Sequence, residues 1–272
     1  MEPRKPYPTD LTDHEWALLE PYVPKAKPGG RREKYPKREI LNGILYILRG
    51  GCAWRLLPHD LPPWEIVYHY FWRWKRDGTW GVMHDLLRGD VRVAVGKQRQ
   101  PSAGIIDSQS VKTTEKGGPR GYEAHKHVPG RKRHLLVDTL GLLLTVVVTA
   151  ASVQDRDGGR QLLEVLRYKF SYKFSRLRLI WADQAYAGDL IGWVWSLRPW
   201  RKVHLEIVKR PEGTKGFQLL PKRWLVERTL AWLGRYRRLS KDDEYVTQTS
   251  EAMIRVAMIH LMVRRLARLT CF

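Results

Sequence analysis

In the first third of the chain, apolar residues recur at the spacing of α-helices. The apolar positions between 40 and 48 share one helical face, and Gly50-Gly51 follows them as a helix end. Pro62-Pro63 introduces a second run whose apolar residues again fall on one face. Near the start, Thr12 and Glu15 form the pattern of a capping box. The sequence therefore predicts three helices in this region.

The two longer predicted helices resemble a helix-turn-helix unit, although the turn-rich connector at 52–63 is longer than usual. Arg73, Lys75 and Arg76 come at the end of the second helix and are candidate DNA contacts. An ordinary helical bundle is the alternative interpretation. We expect residues 1–98 to form an all-α, helix-turn-helix-like DNA-binding domain.

From about residue 98 the pattern changes to short apolar runs that are typical of strands. Predicted strands lie at 103–107, 134–138, 142–150, 177–182 and 203–208, and predicted helices lie at 155–170, 186–196, 222–236 and 250–269. Strands first, followed by alternating strands and helices, predict an α/β domain with a mixed sheet that helices flank. We assign this domain to residues 99–272.

Composition limits the possible functions. The chain has 272 residues, and 49 Lys and Arg against 28 Asp and Glu give a net charge of +21. Such a surplus favours a polyanionic partner, because cations that neutralise phosphates release condensed counterions. The longest apolar run, at 142–151, is about half of a membrane span, and the N-terminus lacks the apolar stretch of a signal peptide. With only Cys52 and Cys271, a disulfide framework is excluded. We expect a cytoplasmic protein without a membrane partner.

Two of the predicted strands end in an aspartate, Asp107 in GIID and Asp183 in LIWAD. If the strands are parallel neighbours, both carboxylates reach the same sheet edge. Carboxylates that close repel one another unless a proton or a divalent cation lies between them, and Mg²⁺ prefers such oxygen ligands. The alternative is that each aspartate is a turn residue or a helix cap.

Glu227 is the only acidic residue from Lys222 to Lys241, a segment with seven Lys and Arg. A helix that bound DNA by charge alone would gain affinity from its loss. Glu227 is therefore a candidate metal ligand, or else the ion-pair partner of Arg223 or Arg228. The cations of this segment are candidate DNA contacts: Arg223, Arg228, Arg235, Arg237, Arg238 and Lys241.

A second basic segment, residues 112–134, carries seven Lys and Arg and four Gly between two predicted strands. This composition indicates a flexible basic hairpin or loop that follows a DNA backbone, or else a solvated loop. Its candidate phosphate contacts are Lys112, Lys126, Arg131, Lys132 and Arg133.

Several segments, in order, resemble the DDE transposases of bacterial insertion sequences, in the group called family five. They are DSQSVK (107–112), GYEAHKHVPGRKRHLLVDTLGLLL (121–144), DRDGG (155–159), ADQAYAG (182–188) and WLVERTLAWLGRYRRLSKD (224–242), with the N-terminal stretches 11–24 and 40–80. The similarity covers nearly the whole chain.

The resemblance implies an RNase H-like (retroviral-integrase-like) core in which Asp107, Asp183 and Glu227 form a catalytic triad. The triad would hold two Mg²⁺ ions, with Mn²⁺ as a substitute, and Asp107 would bridge them. The family's Tyr-Arg-Glu-Lys signature maps in part: Arg223 fits the Arg position, whereas Leu220 and Gly234 occupy the Tyr and Lys positions.

The implied activity is that of a transposase. It binds the terminal inverted repeats of its element, cleaves phosphodiester bonds as an endonuclease, and joins the freed 3′-hydroxyls to target DNA. Bringing two ends together implies a homodimer on double-stranded DNA, at the bacterial nucleoid. Two other functions stay open: an RNase H-fold nuclease, such as a junction resolvase, that cuts without joining, and a catalytically silent DNA-binding repressor.

Overall fold

A computed structural model describes residues 4–26, 29, 33–197, 202–208 and 222–270. The chain forms two compact units. The first contains Met1–Lys97, Gly234–Ser240 and Ala252–Phe272, and the second contains Gln98–Leu233 and Lys241–Glu251.

The first unit is helical. Its helices are α1 (Asp13–Leu19), α2 (Lys37–Gly50), α3 (Trp64–Arg76) and α4 (Thr79–Ala94). The capping box of Thr12 and Glu15 is confirmed, and Gly51 ends α2 in the left-handed conformation with a φ of 79°. The final helix, α8 (Thr247–Thr270), contributes most of its length to this unit. The predicted all-helical N-terminal region is thus confirmed, whereas its likeness to a helix-turn-helix unit stays a prediction.

Helix α4 was not predicted, because two glycines and scattered charges interrupt its apolar pattern. Its buried members Trp80, Met83, Leu87 and Val91 nevertheless recur every three or four residues, as one face of a helix does. The indole nitrogen of Trp80 donates to the carbonyl of Phe71 at 3.1 Å, which ties α4 to α3.

The second unit is built on a six-stranded mixed sheet. Its strands are β1 (Ala103–Lys112), β2 (Gly121–Glu123), β3 (Val128–Asp138), β4 (Leu143–Ala150), β5 (Leu179–Ala182) and β6 (His204–Ile207). Strand β3 pairs antiparallel with β1 on one side, and with β2 and then β4 on the other. Strands β1, β5 and β6 are parallel to one another. The predicted mixed sheet is confirmed.

The helices of this unit are α5 (Asp155–Lys173), α6 (Asp189–Ser196) and α7 (Trp224–Gly234). Leu162, Leu163 and Leu166 of α5 are fully buried in one cluster with Ile106 and Ile180 of the sheet. The helix therefore packs on β1 and β5, the strands that lead to the two aspartates.

One prediction about the sheet was wrong. Strand β1 does not end at Asp107 but continues to Lys112, because its second half pairs with β3 as far as Gly130. The basic segment 112–134 contains the predicted hairpin rather than a continuous loop: β2 pairs antiparallel with the start of β3, and only the connecting stretches are irregular.

The compact units also differ from the predicted domains. Their first boundary falls between Lys97 and Gln98, next to the predicted one, but Gly234–Ser240 and Ala252–Phe272 belong with the N-terminal helices. The assignment of a DNA-binding domain to 1–98 and a catalytic domain to 99–272 stays a prediction. Across the described part of the chain, no helix has the length and apolar character needed to span a membrane.

Candidate active site

Asp107 lies on β1 and Asp183 directly follows β5, and these two strands are parallel neighbours in the sheet. Ile105 of β1 is in register with Trp181 of β5, so that the two aspartates, each two residues further along, occupy equivalent positions. Asp183 follows β5 directly, and its side chain also accepts a hydrogen bond from the amide of Ala185 at 3.0 Å. The predicted proximity at one end of the sheet is therefore confirmed, and Asp183 serves the turn as well.

Glu227, in the first turn of α7, reaches the same place. A single guanidinium nitrogen, Nη2 of Arg223, lies 3.8 Å from Asp107 Oδ2, 3.4 Å from Asp183 Oδ2 and 3.8 Å from Glu227 Oε1. The three carboxylates that the sequence singled out are thus assembled around one cation. Their side chains become more exposed from Asp107 (14%) to Asp183 (26%) to Glu227 (46%), which places the cluster at an accessible surface.

The environment of Asp107 disfavours its charged form. Burial raises its pKa to about 6, and the nearby charges of Asp183 and Glu227 add to that effect. The backbone amide of Ser108, which donates to Asp107 Oδ1 at 2.7 Å, and the guanidinium of Arg223 oppose it. The three carboxylates repel one another at this distance, and a cation between them would reduce that repulsion.

The carboxylates supply the oxygen ligands that Mg²⁺ prefers. The guanidinium of Arg223 occupies the point where they converge. As the side chains lie, no group of three His, Cys, Asp or Glu within the described residues is arranged to hold a metal ion. The guanidinium nitrogen of Arg223 lies 3.4–3.8 Å from all three carboxylates. The three carboxylates therefore fit a divalent ion in the chemistry of their ligand atoms.

Contacts to the β3–β4 turn fix the orientation of α7. Thr229 Oγ1 donates to the carbonyl of Gly141 at 2.7 Å, and Arg228 Nη2 donates to the carbonyl of Leu140 at 3.0 Å. The Arg228 guanidinium also lies between the rings of Trp224 and Trp232, at 4.5 and 4.7 Å from their centroids. These contacts were not predicted, since only folding brings this turn to α7, and they locate the helix that carries Glu227.

Tyr186 is a further residue near the site that the sequence pattern does not indicate. It follows Asp183 by three residues within ADQAYAG and is almost fully buried. Burial raises the pKa of its hydroxyl well above the usual value, and the charges of Asp107, Asp155 and Asp183 act in the same direction. Tyr186 is therefore a buried, neutral side chain near the carboxylates.

The predicted phosphate contacts Arg131, Lys132 and Arg133 need correction. All three lie on β3 and are buried. Arg131 pairs with Asp242 at 3.0 Å, and Lys132 pairs with Glu123 at 3.3 Å and Asp155 at 3.1 Å. Arg133 donates to the carbonyl of Lys241 at 3.4 Å. Side chains enclosed and paired in this way hold the fold together and are not available to a DNA backbone.

Arg238 needs the same correction, because it is buried and donates to the carbonyl of Cys52 at 3.2 Å. Arg228 is half-buried between its two tryptophans, and Lys75 is also half-buried. The remaining candidate cations outside the carboxylate cluster are exposed: Arg73, Arg76, Lys112, Lys126, Arg235, Arg237 and Lys241.

One open groove in the second unit gathers several cations. Lys241 lines it together with Lys116 and Arg120, two residues of the basic segment that had not been singled out. The glycines and prolines around Lys116 and Arg120 indicate turns, and turns place such basic residues at the surface.

Comparison with known proteins gives two family matches. Residues 98–262 match the family described as "Transposase DDE domain", and residues 11–84 match the family described as "Putative transposase of IS4/5 family". The IS4/5 match precedes the DDE-domain match along the chain, as the sequence resemblance described above implies.

Two of the individual relatives are proteins of an insertion element by name. The chain is 35% identical over 121 residues to "Insertion element IS402 uncharacterized 16.2 kDa protein" of Burkholderia cepacia. The aligned region covers 41% of this chain and 78% of that protein. It is 30% identical over 139 residues to "Putative transposase for insertion sequence element IS402" of the same organism, 50% of this chain and 62% of that protein. An uncharacterized protein of Sinorhizobium fredii is 26% identical over 123 residues, 45% of this chain and 83% of that protein.

More than half of the chain lies within the DDE-domain match, and the mixed sheet of the second unit is the RNase H-like core expected of that domain. The chain belongs to the DDE transposases of insertion sequences.

Proposed function

We propose that Asp107, Asp183 and Glu227 are the catalytic carboxylates of this transposase and that they bind divalent metal ions, Mg²⁺ with Mn²⁺ as a substitute. The observation that carries the proposal is their convergence within 3.8 Å of one guanidinium nitrogen, although they lie 76 and 44 residues apart along the chain. These are the three carboxylates that both the sequence pattern and the resemblance select.

Bound Mg²⁺ would activate an oxygen nucleophile and neutralise charge at the scissile phosphate. The protein's own part is to hold the carboxylates rigidly. Asp107 is fixed in the middle of β1 by the amide of Ser108, and Asp183 is fixed at the end of β5 by the amide of Ala185. Glu227 is fixed through α7, which Arg228 and Thr229 attach to the β3–β4 turn.

The substrate is the double-stranded DNA at the ends of the insertion sequence, and the second substrate is target DNA. The charge of +21 supports a DNA partner, and so do the exposed cations Lys112, Lys126 and Lys241 of the second unit. In the first unit, Arg73 and Arg76 extend from α3 into solvent, which supports DNA contact by this helix. We also propose that two copies assemble on the paired ends, at the nucleoid.

A transposase joins the cleaved DNA ends to a target, whereas a nuclease only cleaves them, so an assay of strand joining distinguishes the two functions. The purified chain would be incubated with Mg²⁺, labelled DNA carrying the ends that flank its own gene, and an unlabelled target plasmid. We expect cleavage at the ends and label covalently transferred to the plasmid, both abolished by EDTA. Cleavage without transfer would identify a resolvase-like nuclease, and binding without cleavage would identify a silent repressor.

A further inference from the structure

Arg223 has an unusual position for a cation in an acidic cluster. Its Nη2 lies at nearly equal distances, 3.4 to 3.8 Å, from three carboxylates on β1, after β5 and on α7. These distances are longer than those of a dedicated charge-assisted hydrogen bond, about 2.7–2.9 Å. The guanidinium is therefore shared among the carboxylates and occupies the point where they converge.

A divalent ion would need that same point. Mg²⁺ binds oxygen ligands at about 2.0–2.1 Å, and it tolerates little deviation from octahedral geometry. With the guanidinium between them, the carboxylates are not arranged to hold an ion, as far as the described residues show. Arg223 and a metal at the centre of the cluster exclude each other by both volume and charge.

Arg223 immediately precedes the first residue of α7 and is not part of the helix that carries Glu227. Its neighbours are anchored independently: Lys222 lies over the ring of Trp181 at 4.0 Å, and Trp224 lies against Arg228 at 4.5 Å. The Arg223 side chain is 19% exposed, which leaves it a route to solvent.

We propose that Arg223 is an internal competitor of the catalytic metal: it neutralises the carboxylates in the metal-free enzyme and must withdraw before a divalent ion binds. This inference rests on the proposed function, because it assumes that the three carboxylates form the metal site. It assigns to Arg223 a positioning role that keeps Asp107, Asp183 and Glu227 together until the metal replaces it.

The test measures Mn²⁺ binding by titration calorimetry on the full-length chain without DNA, after EDTA has been used and removed. Wild type is compared with Arg223→Gln, with Asp183→Asn, with the double variant Arg223→Gln/Asp183→Asn, and with Arg167→Gln. The last is the matched control, because Arg167 is an exposed cation on α5. Thermal melting with EDTA and with Mn²⁺ verifies that each variant folds.

We expect Arg223→Gln to bind Mn²⁺ at least about tenfold more tightly than wild type, since the opposing charge is removed while the ligands remain. In EDTA it should melt below wild type, and Mn²⁺ should raise its melting temperature more. Arg167→Gln should match wild type, and the double variant should lose the tight binding.

Equal Mn²⁺ affinity of wild type and Arg223→Gln, with binding lost in Asp183→Asn, would overturn the competition and leave the metal site intact. Binding that Asp183→Asn does not change would overturn the metal site itself, and the competition with it. Should Arg223→Gln fail to fold, Arg223→Lys serves instead: its compact ammonium should compete less well than the guanidinium. Mn²⁺ affinity of Arg223→Lys equal to or weaker than that of wild type would then overturn the proposal.

Discussion

At Gly158, near the start of α5, there is no space for a side chain. A Cβ built there would lie 2.0 Å from Cε1 of His134, which is buried on β3. We expect Gly158→Ala to lower the free energy of unfolding by about 1–3 kcal/mol or more, because helix and sheet must separate. Urea unfolding followed by circular dichroism measures the change.

Gly192 in α6 is the matched control, since a Cβ there meets no atom within 4 Å. Gly192→Ala should be neutral or stabilising by up to about 1 kcal/mol, as alanine favours helix. If the two alanines had the same effect, the close packing of α5 on β3 would be wrong.

Single residues show what the sequence can and cannot predict about the site. Asp107 and Asp183 can be predicted because each is an acidic residue at the end of an apolar run. Glu227 can be predicted because it is the only acidic residue in a basic segment. Arg131 was misassigned because its neighbours suggest a solvated charge run. Its partner Asp242 lies 111 residues further along the chain, a distance that no local pattern spans.

At the scale of elements, strand β3 carries a buried cation, Arg131, that makes several hydrogen bonds. Arg131 donates to Asp242, to the carbonyls of Pro119, Glu244 and Tyr245, and to Ser250, so it attaches the segment after α7 to the sheet. Arg131→Met should lower the free energy of unfolding by about 3–5 kcal/mol, because Asp242 is left buried without its partner. Chemical denaturation measures this loss.

The matched control on the neighbouring connection is Lys126, which is exposed and pairs loosely with Glu123 at 3.7 Å. Lys126→Met should change the free energy of unfolding by less than about 0.5 kcal/mol. A small effect at both positions would show that Arg131 is a surface cation after all, as its sequence context suggested.

Periodicity predicted most elements but not their lengths. The strands β1 and β3 extend beyond their apolar runs, because pairing with each other satisfies backbone groups even where the side chains are charged. Helix α4 was missed for the opposite reason: its apolar face is narrow and interrupted, and packing against other helices stabilises it more than helix propensity does.

The whole molecule carries three histidines that burial keeps neutral. Burial lowers the pKa of His84 to about 4, of His134 to about 4 and of His260 to about 3. Below pH 6.5 the unfolded chain takes up protons at these positions and the folded chain does not, so stability must fall on acidification.

From pH 7 to pH 5, each of these histidines should cost about 2 kcal/mol of the free energy of unfolding. Urea titrations at both pH values measure the slope. His84→Gln should reduce it, whereas the exposed His125, changed to Gln, should leave it unchanged. An acid response identical in wild type and His84→Gln would contradict the neutral, buried state of this side chain.

DNA binding by the whole molecule should depend steeply on salt. Removing one cation that neutralises a phosphate should reduce the slope of log affinity against log salt by about 0.9. We expect Lys112→Gln and Lys126→Gln to reduce it in this way, and Arg167→Gln on α5 to leave it unchanged. Fluorescence anisotropy with labelled duplex DNA gives the slopes, and a flat response in wild type would exclude binding to the DNA backbone.

The sequence also predicted the order of the two parts of the chain, but not that its C-terminal segments divide between them. Gly234–Ser240 and Ala252–Phe272 pack with the N-terminal helices. The apolar pattern of α8 shows that the helix is buried but does not indicate which partner buries it, because hydrophobic contact has no direction.

The proposed function depends above all on three carboxylates that form one metal-dependent catalytic site. The most direct test is single-turnover DNA cleavage with Mg²⁺, measured for the variants Asp107→Asn, Asp183→Asn and Glu227→Gln. Glu164→Gln is the matched control, since Glu164 is an exposed acid on α5. We predict that each triad variant loses cleavage by at least about a hundredfold while it binds the same DNA as tightly as wild type, and that Glu164→Gln cuts normally. Triad variants that cut at the wild-type rate would contradict this assignment.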